Sequence, residues 1–235
     1  MSPPVPRDDG ATLVEVLVST TVGVVVMGIA ATALISGQRA SAEAVDRLHA
    51  DDAARVALQT MSRELRTAVR SGTSVSAMIS ASATGVAFFA NDRPVPPAPT
   101  GTGPSRITYR IDPLARTLVE ERVAAPLASW TGTDYDYASR PVVKRVVARD
   151  VTAAQPGPVF AYHAVVTPGC AQSASCPALP LVDTGSGPAL PAADLPKVRA
   201  VTISISVAVA RPGDDATTVF RSFVALPNRE EAVKP

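Results

Sequence analysis

The longest apolar segment of the chain lies near its N-terminus, between residues 11 and 35. Every residue in this segment is apolar or small except Glu15. A bilayer core about 30 Å thick is crossed by roughly 20 such residues in an α-helix. We therefore predict a membrane-spanning helix over residues 11–37. We expect its one carboxylate to be functional, because a charge at that depth is costly unless it has a partner.

A second helical pattern follows directly, in which apolar residues recur every three or four positions. These residues are Val45, Leu48, Leu58, Met61, Leu65 and Val69. Charged residues occupy many of the positions between them, which predicts an amphipathic helix over residues 38–71 that stops at Ser71 and Gly72. A helix of this combined length without an internal cap favours packing against other copies of the chain.

After Gly72 the pattern changes to short alternating segments that are separated by turns rich in proline and glycine. Strands are predicted at residues 85–89, 107–111, 117–121, 142–151, 159–166, 201–209 and 219–226. The last two strands should form a hairpin that is the backbone of one sheet. We therefore predict an α+β fold, in which the long N-terminal α-helix packs on a C-terminal antiparallel β-sheet head over residues 72–235.

The sequence GATLVE, which begins at Gly10 and ends at Glu15, opens the apolar segment. A secretory signal peptide would instead place its cleavage site after a shorter apolar core. The motif resembles the class III leader of type IV pilins and type II secretion pseudopilins. The resemblance implies that residues 1–10 are a leader peptide, and that a prepilin peptidase cuts after Gly10 and methylates the new amino terminus of Ala11. An uncleaved single-pass anchor is the alternative.

Under this resemblance Glu15 is the fifth residue of the mature chain, where the family's carboxylate meets the amino terminus of a neighbouring subunit during assembly. A second segment, with Asp52, Arg55 and the run SRELR that begins at Ser62, is similar to W-type minor pilins and J-type minor pseudopilins. Together with the size of the head, which is larger than that of a typical major pilin, this resemblance favours a minor structural subunit at an initiating or tip position. Its expected partners are prepilin peptidase, other pilin or pseudopilin subunits, the inner-membrane assembly platform and membrane lipid.

The same resemblance implies a location for each part of the chain. The N-terminus would be cytoplasmic, the helix would cross the cell membrane once, and the head would be extracytoplasmic before it enters a surface filament. The alternative function is a membrane-anchored extracellular module that binds a surface or DNA.

The only two cysteines, Cys170 and Cys176, lie in the loop sequence TPGCAQSASCP. A small disulfide ring suits this loop and agrees with an exported head, because disulfides persist in oxidising compartments. Two unpaired thiols are the alternative. A zinc site is not favoured, because the sequence places no second pair of Cys or His nearby.

The sequence contains none of the common catalytic signatures, such as a nucleophile elbow, a phosphate-binding glycine loop or a zinc-protease helix. The two histidines, His49 and His163, lie far apart, one among helix charges and one inside a predicted strand. We therefore predict no enzyme activity, no cofactor and no small-molecule substrate.

Two groups of charged residues in the head suggest ligands, although neither pattern is specific. An acidic group suggests calcium, but it lacks the spacing of an EF-hand loop, so solvated charge is the favoured interpretation. A basic group suggests nucleic acid, but no aromatic residues alternate with it as in a base-stacking surface, so this partner is unsupported. The acidic residues are Glu120, Glu121, Asp134 and Asp136, and the basic residues are Arg140, Lys144, Arg145 and Arg149.

Overall fold

The computed structural model describes residues 12–74, 76–91, 103–125, 129–153, 157–165, 177–185, 187–208, 217–227 and 232–233. The chain divides into two compact units, Met1–Arg47 and Leu48–Pro235. One long helix, α1 (Leu13–Arg66), contributes residues to both units. By its length and composition α1 can cross a membrane, with its apolar part near the N-terminus.

Thirteen strands and a 3₁₀ helix follow α1 in the described parts of the chain. In chain order they are β1 (Arg70–Ser71), β2 (Met78–Ala81), β3 (Gly85–Ala90), β4 (Ser105–Asp112), β5 (Thr117–Val123), β6 (Val143–Arg149), β7 (Val151–Ala153), β8 (Phe160–His163), β9 (Val182–Asp183), β10 (Pro188–Ala189), the 3₁₀ helix (Ala192–Lys197), β11 (Ala200–Ala208), β12 (Thr217–Ala225) and β13 (Ala232–Val233).

The strands form two main antiparallel sheets. The first has five strands in the order β2-β3-β4-β5-β6. In the second, β11 pairs with β12 along one edge, and with β7 and β8 along the other. Two smaller pairings join β1 to β13 in parallel and β9 to β10 antiparallel.

The hydrophobic core of the second unit forms between the C-terminal part of α1 and both main sheets. Its apolar side chains include Leu58, Met61 and Leu65 from α1, Phe88 and Ile107 from the five-stranded sheet, and Val201, Ile203 and Ile205 from β11. Burial of these side chains removes apolar surface from water, which is the main favourable contribution to folding. The predicted α+β fold, with a long N-terminal helix packed on an antiparallel sheet, is confirmed.

The prediction of a single sheet with the last hairpin as its backbone is wrong, because the strands form two main sheets. The hairpin of β11 and β12 exists, but it belongs to the four-stranded sheet. The strand predicted over residues 142–151 is divided between the two sheets, because Asp150 adopts a positive φ of 55° that interrupts it. Aspartate tolerates this left-handed conformation better than most residues. The chain therefore leaves the first sheet at β6 and enters the second at β7.

α1 ends at Arg66, earlier than the sequence pattern predicts. The amides of Thr67 and Ala68 donate to carbonyls three residues earlier, at 3.0 and 3.1 Å, which tightens the last turn. The amide of Val69 then donates to the carbonyl of Phe89 at 2.9 Å. This bond directs the chain along β3, so the helix does not continue.

Candidate functional site

The first turn of α1 contains the threonine and the carboxylate of the leader-like motif. Thr12 is the N-cap, because its Oγ1 accepts a hydrogen bond from the Glu15 amide at 3.3 Å, while its carbonyl accepts one from Val16 at 3.2 Å. A Thr followed three residues later by Glu is the sequence of a capping box. The cap fixes where the helix begins, and it places the carboxylate at the end of the helix dipole that favours negative charge.

Glu15 is exposed in its own unit, and two of its neighbours are short polar residues. Together with Val16, Ser19 and Thr20 it lines a shallow groove on the surface of α1. Since Ser19 and Thr20 are short, another chain can approach the carboxylate closely along this side of the helix. Chemically, the groove offers a carboxylate acceptor to a positively charged group on another chain.

Beyond this turn, α1 exposes large apolar side chains on all sides as far as Ile35. The most exposed are Met27 and Val24, at 77% and 71% of their full surface. The threonine hydroxyls in this part of the helix are satisfied within it: Thr20 and Thr21, for example, donate to the carbonyl of Leu17 at 3.0 and 2.8 Å. Such a surface suits lipid or other apolar helices, because it leaves few polar groups without partners.

The remaining residues predicted for processing and pairing lie outside the described residues. These are Gly10 and Ala11, at the expected cleavage position, and Cys170 and Cys176, the expected disulfide. The structure thus describes Glu15 alone among the predicted site residues.

A second polar site lies between α1 and the inner face of the five-stranded sheet, and we call it the charge cluster: Glu64, Tyr109, Glu120, Arg122 and Arg145. Arg122 connects the two carboxylates of the cluster, since its Nη2 donates to Glu64 and its Nε donates to Glu120 at 3.1 Å. The hydroxyl of Tyr109 donates to Glu64 and lies 3.4 Å from Glu120 Oε2. Arg145 completes the cluster by donating to Glu120.

The charge cluster is electrically balanced, because two carboxylates face two guanidinium groups. Glu64, Glu120 and Tyr109 are all buried. Burial, reinforced by the charge of Glu64, raises the pKa of the Tyr109 hydroxyl far above its ordinary value, so this group is a proton donor at all physiological pH values. The hydrogen bond to Glu120 raises the pKa of Arg145. The charge cluster connects α1 to the five-stranded sheet, and each of its two carboxylates accepts hydrogen bonds from other members of the cluster.

Two more of the charged residues considered from the sequence pair with each other. Lys144 pairs with Glu121 at 3.0 Å, and this bond is the main reason that the pKa of Glu121 is lowered. Among the described residues no group of three or more His, Cys, Asp and Glu could hold a metal ion. The basic residues at positions 144 and 145 thus neutralise acids of β5, which leaves less charge for a nucleic acid.

The two histidines occupy different environments. His49 is exposed on α1. His163 is buried on β8, where Nε2 lies 2.8 Å from Thr202 Oγ1 and Nδ1 lies 3.2 Å from the carbonyl of Pro177. Both ring nitrogens of His163 therefore have structural partners.

Sequence reasoning did not identify the charge cluster. One signal was available: Glu64 follows Met61 by three residues and precedes Leu65, so it falls on the buried side of α1. A charged residue at such a position requires a partner.

No protein-family model matches the chain, and a comparison with curated proteins also found no match.

Proposed function

We propose that the chain is a minor subunit of a type IV pilus or of a type II secretion-like filament. The observation that carries the proposal is the start of α1: a capped first turn presents Glu15 at the surface, immediately before a long, uncovered apolar helix. An ordinary membrane anchor has no need of a carboxylate at the start of its apolar segment, where such a group is costly.

In this proposal a prepilin peptidase removes residues 1–10 and methylates Ala11. The new amino terminus carries a positive charge, and the carboxylate of Glu15 on one subunit pairs with the amine of its neighbour. In an apolar surrounding this attraction is far stronger than in water, although desolvation opposes it. The pairing sets the axial register of the subunits, and their apolar helices form the filament core.

The proposal also assigns an orientation and partners. The N-terminus is cytoplasmic, the head is extracytoplasmic, and the inner-membrane assembly platform and the other subunits contact the chain during incorporation. The protein has a structural role, with no substrate of its own. The balanced charge cluster supports this role, because it joins the C-terminal part of α1 to the sheet within the second unit.

The test replaces Glu15 with alanine and measures the amount of the chain in purified filaments. We expect Glu15→Ala to lower incorporation at least about tenfold, because an amine left unpaired in an apolar interior costs about 3 kcal/mol or more. Asp46→Ala is the matched control, since it removes an exposed carboxylate from the same helix beyond the apolar segment. Equal incorporation of the Glu15→Ala chain and the native chain would contradict the proposed role.

A further inference from the structure

One hydroxyl group in the apolar part of α1, that of Ser19, makes no hydrogen bond among the described residues. The other hydroxyl groups between residues 13 and 37 donate to helix carbonyls three or four residues earlier, and they belong to Thr20, Thr21, Thr32 and Ser36. An unbonded hydroxyl costs free energy in an apolar surrounding, where no water replaces the missing partner. The hydroxyl of Ser19 is therefore available to a partner on another chain.

This hydroxyl lies on the same side of α1 as the carboxylate of Glu15. The two residues are four positions apart, which brings their Cβ atoms within about 5–6 Å on a helix. Both line the shallow groove together with Val16 and Thr20. The Thr20 hydroxyl is engaged, because it donates to the carbonyls of Val16 and Leu17 at 3.0 Å. The side-chain groups that this groove leaves for a ligand are thus one carboxylate and one hydroxyl.

A carboxylate beside a hydroxyl suits a cation that has more than one N–H bond. An α-amine with one added methyl group keeps two N–H bonds when it is protonated. One of them can donate to Glu15 and the other to the Ser19 Oγ, because an ammonium nitrogen lies only about 2.7–3.2 Å from each acceptor. The Ser19 hydroxyl can also donate its own proton to the carboxylate. Each polar group then has a partner in an apolar surrounding.

We propose that Ser19 binds the methylated amino terminus of a neighbouring subunit, together with Glu15. The identity of this ligand rests on the proposed function. Glu15 supplies the opposite charge, and Ser19 supplies a directional hydrogen bond that fixes where the amine lies along α1. Ser19 is thus a specificity-determining residue for the pairing of subunits.

The test uses the full chain in cells that assemble the filament. It measures the ratio of the chain in purified filaments to the processed chain in membranes, which is identified by its intact mass. Ser19→Ala should lower this ratio about threefold or more, because a hydrogen bond to a charged group is lost while the side chain stays small. Ser36→Ala is the matched control, since the Ser36 hydroxyl is already bonded to the carbonyl of Ala33 at 2.9 Å. The control should incorporate as the native chain does.

A double variant tests whether both side chains act on the same ligand. In a chain that already has Glu15→Ala the amine is held poorly, so adding Ser19→Ala should lower the ratio less than twofold further. A serine that served only in helix packing would lower the ratio by the same factor with or without the carboxylate.

Three results would overturn the proposal: a native ratio for Ser19→Ala, an equal loss for Ser36→Ala, or a full threefold loss when Ser19→Ala is added to Glu15→Ala. A native ratio for Ser19→Ala beside a low ratio for Glu15→Ala would leave the proposed function intact. Native ratios for both single variants would contradict the proposed function as well.

Discussion

Glu64 shows how one charged residue can join a helix to a sheet. Its carboxylate is buried and accepts hydrogen bonds from Arg122 and from the hydroxyl of Tyr109. A buried carboxylate is stable only when its partners replace the water that it has lost. Removal of Glu64 would therefore leave a guanidinium group, itself only 24% exposed, without one of its two acids.

We expect Glu64→Ala to lower the free energy of unfolding by about 3 kcal/mol, because it breaks a buried pair and leaves a charge uncompensated. Glu121→Ala is the control, since its ion pairs with Arg110 and Lys144 lie at the sheet surface and are worth less than about 1 kcal/mol. Urea unfolding of the full chain in detergent compares the two. Equal losses of stability would show that burial of Glu64 has no special role.

At the residue scale, the sequence identifies Glu15 more easily than it identifies the residues of the charge cluster. Glu15 interrupts an otherwise apolar segment, so its position is visible in the sequence. Glu64 is one of several charged residues on its helix, and its partners come from β4 and β5. Only the folded sheet brings Tyr109 and Arg122 to it, through a strand register that local sequence does not determine.

At the scale of elements, periodicity predicted the existence and type of the main structures. The helix and the hairpins of β4 with β5 and of β11 with β12 follow directly from apolar spacing and turn residues. The assignment of strands to two sheets did not follow, because a single residue, Asp150, separates β6 from β7 within one continuous β-like sequence. Likewise, α1 ends where Val69 bonds to β3, which is a tertiary contact.

Apolar spacing along α1 also overestimated its buried face. Leu58, Met61 and Leu65 are buried, as the pattern indicates, but Val45 and Leu48 are exposed at 49% and 65%. Periodicity shows which residues share one side of a helix, and it does not show how far the covering sheet extends. In a filament, these exposed residues would be available to the helices of other subunits.

At the scale of the whole molecule, all four tyrosines share one property. Tyr109, Tyr135, Tyr137 and Tyr162 are buried, and in each case burial is the main cause that raises the pKa of the hydroxyl above its ordinary value. In the unfolded chain these groups would lose their protons near pH 10. The folded chain therefore binds more protons than the unfolded chain above that pH, and its stability must decrease as the pH rises.

We expect the folded chain to show little tyrosinate absorbance somewhat above pH 10, and to show it fully once it unfolds. An ultraviolet titration combined with circular dichroism measures both events on one sample. Tyrosinate formation near pH 10 in a chain that retains its folded spectrum would contradict the burial of these hydroxyl groups.

The central claim is that the chain is a processed filament subunit, and the intact mass of the protein tests it most directly. The chain is isolated from membranes of cells with and without a prepilin peptidase. We predict a protein that starts at Ala11 and carries one added methyl group when the peptidase is present, and the full-length chain when it is absent. A full-length chain in both strains would contradict the claim.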